Sequence, residues 1–453
     1  MRGRSIPQRI AFFAMCFMTI SGFLGNAEWG FTIGFVPEYR GHARGFHFYF
    51  NEVFALSLIL AAAFDPKAKF KLFPPGLWLY LLFCLLSFIS IINAPSANYV
   101  AMAALKSSKA AILFIAAYNF VRNEKDIQFF LKTMCVTIFW QFIVVVKMKY
   151  LDGRHQIMGT FEHQNALAMY VNLIGMVFLA AGASAKGRWA NFYLVGFLCA
   201  AVIVVFTLSR AGLVIFGFGT VVVLILSLID KFTKRRAIAV MVVGVCGVIG
   251  VAMTIDSMVE RFNDPYTFDS KQTRIMLKAA SKEMFKDHPL GIGWNNYGVT
   301  INHPYAYGDH IDQYFKSYGY RMDKNEAKGI EESLYYLLLA ETGFQGLLSF
   351  LAVMGYFLWL NIRAARHFRN QFLGAISIGI ACGCGINYLQ SLLERVLTQP
   401  RNLMLWLILL ALTAKIETWR RRDKKESRLE KIHARQARME TGIGQKTLIA
   451  ESK

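Results

Sequence analysis

Apolar residues run in long stretches along this chain, separated by short polar punctuation, with one exception. From about Asp256 to Glu332 the sequence stays polar, and it then passes through Glu331-Glu332-Ser333-Leu334-Tyr335-Tyr336 into another apolar run. A helix crosses about 30 Å of hydrocarbon with roughly 20 apolar residues at 1.5 Å each. On that measure the pattern predicts about twelve spans, near 9–25, 47–64, 73–92, 103–121, 128–147, 164–183, 191–207, 211–228, 237–254, 334–361, 371–391 and 402–418. The seventh and eighth runs are nearly continuous, and as one helix they would reach roughly 50 Å. The turn must therefore fall in Thr207-Leu208-Ser209-Arg210-Ala211-Gly212, with Arg210 at its tip.

The predicted fold is an all-α polytopic integral membrane protein with one large extracytoplasmic loop. Its parts are N-terminal transmembrane helices over 1–255, the loop over 256–333, C-terminal transmembrane helices over 334–418, and a basic cytoplasmic tail over 419–453. Within the loop, Thr273–Phe285 has apolar residues at helical spacing and stops before Pro289. That segment is expected to form an amphipathic helix on the outer membrane surface. Gly291-Ile292-Gly293-Trp294-Asn295-Asn296-Tyr297-Gly298 follows, turn-rich and aromatic, with no strand before it that would make it a nucleotide loop.

Composition agrees with the pattern. Of 453 residues, 55% are hydrophobic and 17% charged, more apolar surface than a soluble domain of this length can hide. A net charge of +21 raises nucleic acid as a partner, but the basic residues lie in short runs beside the apolar stretches. Arg2/Arg4/Arg9, Lys67/Lys69/Lys71, Arg122/Lys125, Lys186/Arg188, Lys231/Lys234/Arg235/Arg236, Arg363/Arg366/Arg369 and Arg420-Arg421-Arg422 mark every second loop. That is the positive-inside bias, and it predicts both termini in the cytoplasm and the 256–332 insert outside. The N-terminal run reads as a signal peptide or a first span, and both keep the basic end inside. All seven cysteines lie in apolar stretches, which leaves no loop disulfide framework and no Cys/His metal spacing.

Polar residues near apolar boundaries collect on the predicted outer side. They are Lys106 and Lys109, Glu162-His163-Gln164-Asn165, Arg210, Arg274, Glu331-Glu332, and Glu394-Arg395 with Arg401. Lys106 and Lys109 share a helical face and read as snorkelling to lipid heads or as binding groups. Arg210 has little loop to lift it into water, which points to a task. Glu341-Thr342-Gly343 reads as a kink with a buried carboxylate or as close packing through Gly343 and Gly346. Guanidinium forks facing a carboxylate suit attack of a sugar hydroxyl on a lipid-diphosphate-linked glycan: the forks stabilise the leaving diphosphate and the carboxylate takes the proton. They equally suit binding of an anionic solute for export.

Four stretches resemble the O-antigen ligase and polymerase family. Gly159–Ala168 is similar to its G-x-F-x-(n)-x-N-x-x-A segment, Thr207–Gly212 to its S-R-(G/A) turn, and Arg274 through Gly293 to its R…(P)-(L)-G-x-G element. Glu332–Gly346 is similar to its H-N-x-(Y)-L-x-x-x-x-E-x-G-x-x-G signature. The resemblance covers about residues 159–346 and implies glycosyl transfer from undecaprenyl diphosphate at the bacterial inner membrane, without metal, nucleotide or other cofactor. It maps the diphosphate-holding arginines to Arg210 and Arg274 and the acceptor-binding histidine to Glu332, where this sequence departs from the pattern. It therefore implies Glu332, Arg274 and Arg210 as catalytic; His163, Asn165, Lys106, Lys109, Arg401 and Tyr335, placed near them on the predicted outer side, are expected to bind substrate. The implied partners are a lipid-linked glycan donor, a glycan or lipid acceptor, membrane lipids and a polysaccharide assembly complex. Because of the glutamate, a polymerase of O-antigen or exopolysaccharide is favoured over a ligase. The alternatives are a transporter or flippase for a lipid-linked or anionic solute and a non-catalytic scaffold. In this reading the insert is a lid-like connection that brings Arg274 over a membrane pocket, with Arg210 below and Glu332 at the exit.

Overall fold

In hydrocarbon no water is available to backbone N–H and C=O groups, so apolar runs of this length become helices that satisfy those groups internally. A computed structural model describes residues 4–20, 30–37, 39, 41, 43–66, 69–230, 244, 266–318 and 328–451. The span anticipated near 237–254 lies outside these residues apart from position 244, as do Arg2, Lys67, Cys246 and the basic run Lys231–Arg236.

The chain starts with α1 (Ile6–Phe17), capped by Ser5 with Pro7 in its first turn. An antiparallel hairpin, β1 (Gly30–Ile33) with β2 (Phe46–Tyr49), leads into α2 (Phe50–Ala63). There follow α3 (Leu77–Phe88), ending in a 3-10 turn over Ile89–Asn93, then α4 (Ala97–Phe120), α5 (Glu124–Tyr150), α6 (Gln164–Ser184), α7 (Arg188–Thr207) and α8 (Arg210–Asp230). The insert supplies α9 (Tyr266–Asp287), the four-residue α10 (Tyr297–Thr300) and α11 (Asp309–Ser317). The chain ends with α12 (Leu334–His367), α13 (Phe372–Gln390) and α14 (Pro400–Glu451).

Among the described residues, eight helices are long and apolar enough to cross a membrane: α4 to α8, α12, α13 and Pro400–Glu430 of α14. Three anticipated spans are shorter apolar helices, namely α1, α2 and α3 with its 3-10 extension. The predominantly helical character, with eight described helices fit to cross a membrane, matches the sequence reading, while the hairpin was not foreseen, since two four-residue strands are too short to display a period-2 pattern. The turn between α7 and α8 falls where expected, at Leu208 in the left-handed region (φ 51°).

Helix α6 is the pillar of the bundle, with its whole apolar length buried inside the protein. It accepts close neighbours through small residues. A Cβ on Gly383 of α13 would lie 2.4 Å from the Leu173 carbonyl, and one on Gly379 would lie 2.7 Å from Val177 Cα. Two glycines four apart let α13 meet the α6 backbone directly, as small-residue stripes do between membrane helices.

The insert docks into a break in α12. Gly343 has φ 68° and ψ −172°, a combination essentially reserved for glycine. Against the break lies Pro289–Gly293. Ile292 N donates to Ala340 O at 2.9 Å, Gly293 N to Glu341 O at 3.1 Å, and Phe344 N to Pro289 O at 3.1 Å. Carbonyls and N–H groups freed by the interrupted helix thus find partners in the insert, as buried backbone requires. Glu341 is buried, and its Oε1 accepts the N–H of Tyr297 at 3.1 Å. Both sequence readings of Glu341-Thr342-Gly343 describe the structure: the helix is kinked beside a buried carboxylate, and its glycines pack closely, a Cβ on Gly343 lying 2.4 Å from Pro289 O and one on Gly346 3.2 Å from Ser87 Oγ. Met276, Leu277, Ala280 and Met284 of α9 pack with Tyr297, Ile301, Leu337 and Ala340 in a separate apolar cluster. The apolar face of α9 is therefore buried on protein, in place of the membrane surface anticipated for it, because the first turns of α12 offer it Leu337 and Ala340.

Basic residues gather at one end of the bundle. Arg4 Nη2 donates to Asn119 O, Lys71 N donates to Asn119 Oδ1 at 2.9 Å, and Arg122 pairs with Asp65 at 2.9 Å. Glu417, fully buried, is held there by Arg420 at 2.6 Å and Arg421 at 2.7 Å. Nearer the hairpin, Lys109 of α4 pairs with Glu52 of α2 at 2.7 Å, each side chain 9% exposed, and it also donates to the His47 carbonyl.

Two stability predictions follow from these contacts. Gly343→Ala should cost about 1–3 kcal/mol for the backbone alone, and more because the new Cβ would sit 2.4 Å from Pro289 O; Gly355→Ala on the same helix, with open space around it, should be neutral. Melting curves in detergent compare the two. Lys109→Met should lose about 3–5 kcal/mol by leaving a buried carboxylate without its cation, and Glu52→Gln in the same molecule should recover most of it.

Candidate functional site

Four segments converge at the end of the bundle that carries the insert: α9, the approach to α12, the approach to α6, and the loop between α13 and α14. Hydrogen bonds tie the helices that carry these segments together. Leu334 N donates to Ser391 O at 3.0 Å and Tyr335 OH to Tyr388 O at 2.7 Å, which pins the start of α12 to the end of α13. Asn402 Nδ2 donates to Ala166 O at 3.2 Å and to Val396 O at 2.9 Å, joining α14 to α6. Asn172 Nδ2, two turns below Asn165 on α6, donates to Gln390 Oε1 at 2.9 Å and to Gly212 O at 3.4 Å. The start of α8, and with it Arg210, is thereby set beside α6 and α13.

At the convergence, Arg274 of α9 is ion-paired through Nε with Glu332, and its Nη2 lies 3.4 Å from Glu394 Oε1. Asn165 Nδ2 donates to that same oxygen at 2.6 Å. One guanidinium is thus shared between two carboxylates in different settings. The Glu332 side chain is 39% exposed and Arg274 42%, whereas Glu394 is 9% exposed. Burial, reinforced by the charge of Glu332, pushes the Glu394 carboxyl up to about 7, against the opposing pull of Arg274, Asn165 and Arg395. Glu331, which accepts from Ser333 N at 2.8 Å, is also raised to about 7, chiefly by burial. Arg395 faces the charges of Glu341, Glu332 and Glu394.

The other candidates surround this core. Arg401 Nη1 donates to Thr160 O at 2.8 Å, with its guanidinium 5.2 Å from the Phe161 ring centroid. His163 caps α6, its Nδ1 accepting from Asn165 N at 3.2 Å. Lys106 is 4% exposed and lies among the charges of Arg395, Glu162, Glu341 and Lys109. Neither lysine snorkels to lipid heads: Lys106 is enclosed by protein, and Lys109 is committed to Glu52. Burial first, then Lys106 and Lys109, lowers the pKa of His47 to about 4.

Of the residues singled out from the sequence, Arg274, Glu332 and Asn165 are in one contact network, with Arg401, His163 and Tyr335 anchoring its walls. Arg210 stands at the head of the adjacent α8, and Lys109 belongs to the hairpin side. Sequence reasoning put Glu394 among the outer polar residues and gave it no role, yet it is the carboxylate on which Arg274 and Asn165 meet. The signal was a Glu-Arg pair in the short connection between two apolar runs. Chemically, a shared and half-exposed guanidinium can exchange a carboxylate for an anionic ligand. A neighbouring carboxylate poised near neutrality can accept a proton.

No curated protein matches the chain. Residues 195–351, which run from within α7 to the middle of α12 and hold Arg210, Arg274, Glu332 and the break at Gly343, match the family model described as O-antigen ligase, and this match together with the membrane-crossing helices supports an O-antigen ligase and polymerase type of membrane protein.

Proposed function

We propose that the chain is a glycosyltransferase of the bacterial inner membrane that uses an undecaprenyl-diphosphate-linked glycan on the extracytoplasmic face, in O-antigen or exopolysaccharide assembly. The observation that carries this reading is the Arg274 guanidinium set between Glu332 and Glu394, with Asn165 completing the network. A diphosphate entering there displaces carboxylate oxygens from Arg274 and gains charge-assisted bonds to a planar fork. As the anomeric C–O bond breaks, negative charge grows on the diphosphate, and a fixed guanidinium stabilises that charge most when it is greatest. Arg210, at the head of α8, is the second arginine assigned to the diphosphate. A carboxylate of the cluster takes the proton of the acceptor hydroxyl, so metal and nucleotide are not assigned a part. Asn165, His163, Arg401, Tyr335 and Lys106 belong to the walls that hold the glycan and its acceptor.

The distribution of charge supports the sidedness of this reading. Arg4, Lys71, Arg122 and the Glu417 cluster lie together at the end of the bundle away from the Arg274 network, and basic loops favour the cytoplasm. The site then opens outward, where lipid-linked glycans are presented and ATP is absent. Repeated addition to a growing chain is favoured over a single transfer to a lipid core, because Glu332 stands where the ligase-like pattern has histidine.

Membranes of cells lacking the protein should accumulate lipid-linked single repeat units if it polymerises, or finished chains still on undecaprenyl diphosphate if it ligates. An unchanged pool of both would sink the proposal. With the protein restored, Arg274→Ala should cut transfer by about 10²–10³-fold at equal expression, and Arg274→Lys should recover only part of it, since an ammonium cannot reproduce the fork. Arg210→Ala should fall in the same range, read as glycan chain length on gels.

A further inference from the structure

The two carboxylates on Arg274 are not equivalent, and their settings divide the work of the proposed transfer. We propose that Glu394 is the proton acceptor and that Glu332 is a positioning residue that holds and aims Arg274. This rests on the glycosyl-transfer reading above, and it assigns a catalytic role to a residue outside the segment 195–351 that matches the family model.

Geometry separates them first. Both described hydrogen bonds of Glu394, from Asn165 Nδ2 at 2.6 Å and Arg274 Nη2 at 3.4 Å, fall on Oε1. Those bonds fix the carboxylate plane, and Oε2 is the oxygen left to meet an acceptor hydroxyl. Asn165 stands on the first turn of α6, the most enclosed of the described membrane-crossing helices, so the base is held by an element packed on all sides. Catalytic geometry depends on that kind of support. Glu332 sits in the extended approach to α12, paired with Arg274 Nε and 39% exposed. The more exposed carboxylate, held in the closer of the two pairs with Arg274, is the poorer base, but it is a good tether for a long side chain coming from a separate segment.

Burial separates them next. Glu394, at 9% exposure, is poised near 7 by its enclosure and by Glu332, where a general base works best at neutral pH. The charged or polar groups facing it are Arg274 from α9, Glu332 from the approach to α12, Asn165 from α6, and Arg395 beside it. The step balances without a co-reactant. The acceptor oxygen bonds to the anomeric carbon as its proton passes to Glu394 Oε2. The anomeric C–O bond breaks with its electron pair on the diphosphate, which leaves as undecaprenyl diphosphate facing Arg274.

The sign of the pH dependence follows. Glu394 must be ionised to act, so turnover should fall as pH drops below about 7. Because the charge of Glu332 raises Glu394, Glu332→Gln should move that acidic limb to lower pH while keeping turnover above it within about tenfold. Glu394→Gln should lose about 10²–10³-fold in turnover and the limb with it.

The test uses full-length protein in lipid, single-turnover transfer of the lipid-linked glycan extracted from cells lacking the protein, and binding of undecaprenyl diphosphate as the fold control. Loss of turnover in Glu394→Gln with undecaprenyl diphosphate binding kept, together with the shifted limb in Glu332→Gln, is the expected result. If Glu394→Gln no longer binds undecaprenyl diphosphate, Glu394→Asp decides: partial turnover with an acidic limb supports the assignment, and none overturns it. Full turnover in Glu394→Gln, or a dead Glu332→Gln with Glu394→Gln active, overturns the assignment and leaves the glycosyl-transfer reading standing. Wild-type protein that transfers nothing overturns both.

Discussion

The Arg274 network depends on a backbone junction outside it, the seating of Pro289–Gly293 against the break in α12 at Gly343. A membrane helix that stops donating and accepting along its own axis must find other partners for its orphaned groups. Here they come from a segment of the insert that approaches so closely that Gly291 and Gly343 admit no Cβ: either would meet main-chain atoms of the opposite strand at 2.4 Å. The junction fixes the exit of α9, and α9 carries Arg274. It also turns the Glu341 carboxylate toward the N–H of Tyr297, which locks the first turn after the glycine segment. Glu332 lies nine residues before Glu341, at the head of the same helix. The two partners of the ion pair are therefore referenced to one interruption in one helix.

A second constraint is the enclosure of α6. Because small residues let α13 lie against its backbone, polar side chains at the top of α6 meet those at the end of α13 and in the loop beyond without intervening lipid. Asn172 with Gln390 and Asn165 with Glu394 form two rungs of one such ladder, about seven residues apart on α6. The lower rung also takes in the Gly212 carbonyl, so the start of α8 is set by the same pair of helices that sets Glu394. The buried carboxylate is thus tolerated where it stands because a side-chain amide and a guanidinium both meet it, as a charge withdrawn from water requires.

Much of this was legible in the sequence. Run length gave the helices, alternation of basic loops gave an end-to-end polarity, and the apolar spacing of Thr273–Phe285 gave α9 within its observed span. The order of the short motifs brought Arg274 and Glu332 into one hypothesis before any contact was known. What the sequence could not display was pairing across distance. Glu52 and Lys109 are 57 positions apart, and nothing local distinguishes Lys109 as the partner of a carboxylate from a lysine reaching for lipid heads. Glu394 is 120 positions from Arg274 and 229 from Asn165. A Glu-Arg dipeptide in a short loop reads as ordinary boundary polarity until the fold places it beneath the insert. The apolar face of α9 misled in the same way, since periodicity reports that a face is buried and not what buries it.

The departure at Glu332 acquires a physical meaning from these contacts. A histidine there could be neutral and leave Arg274 open to an anion, whereas a glutamate gives the arginine a standing counter-charge that the proposed diphosphate would have to displace. Such displacement would weaken ground-state binding, because part of the gain from new phosphate contacts replaces an existing ion pair. The two carboxylates nonetheless order the arginine beforehand, and side-chain ordering otherwise falls on the binding step. A second carboxylate on the same guanidinium changes the balance again. Under the proposed transfer, a diphosphate that drew Arg274 toward itself would take a stabilising cation from Glu394 and make it the stronger base as the acceptor loses its proton. Glu332, set against the family pattern, shares Arg274 with Glu394, and in the proposed transfer that sharing would make donor binding and base activation two consequences of one movement of charge.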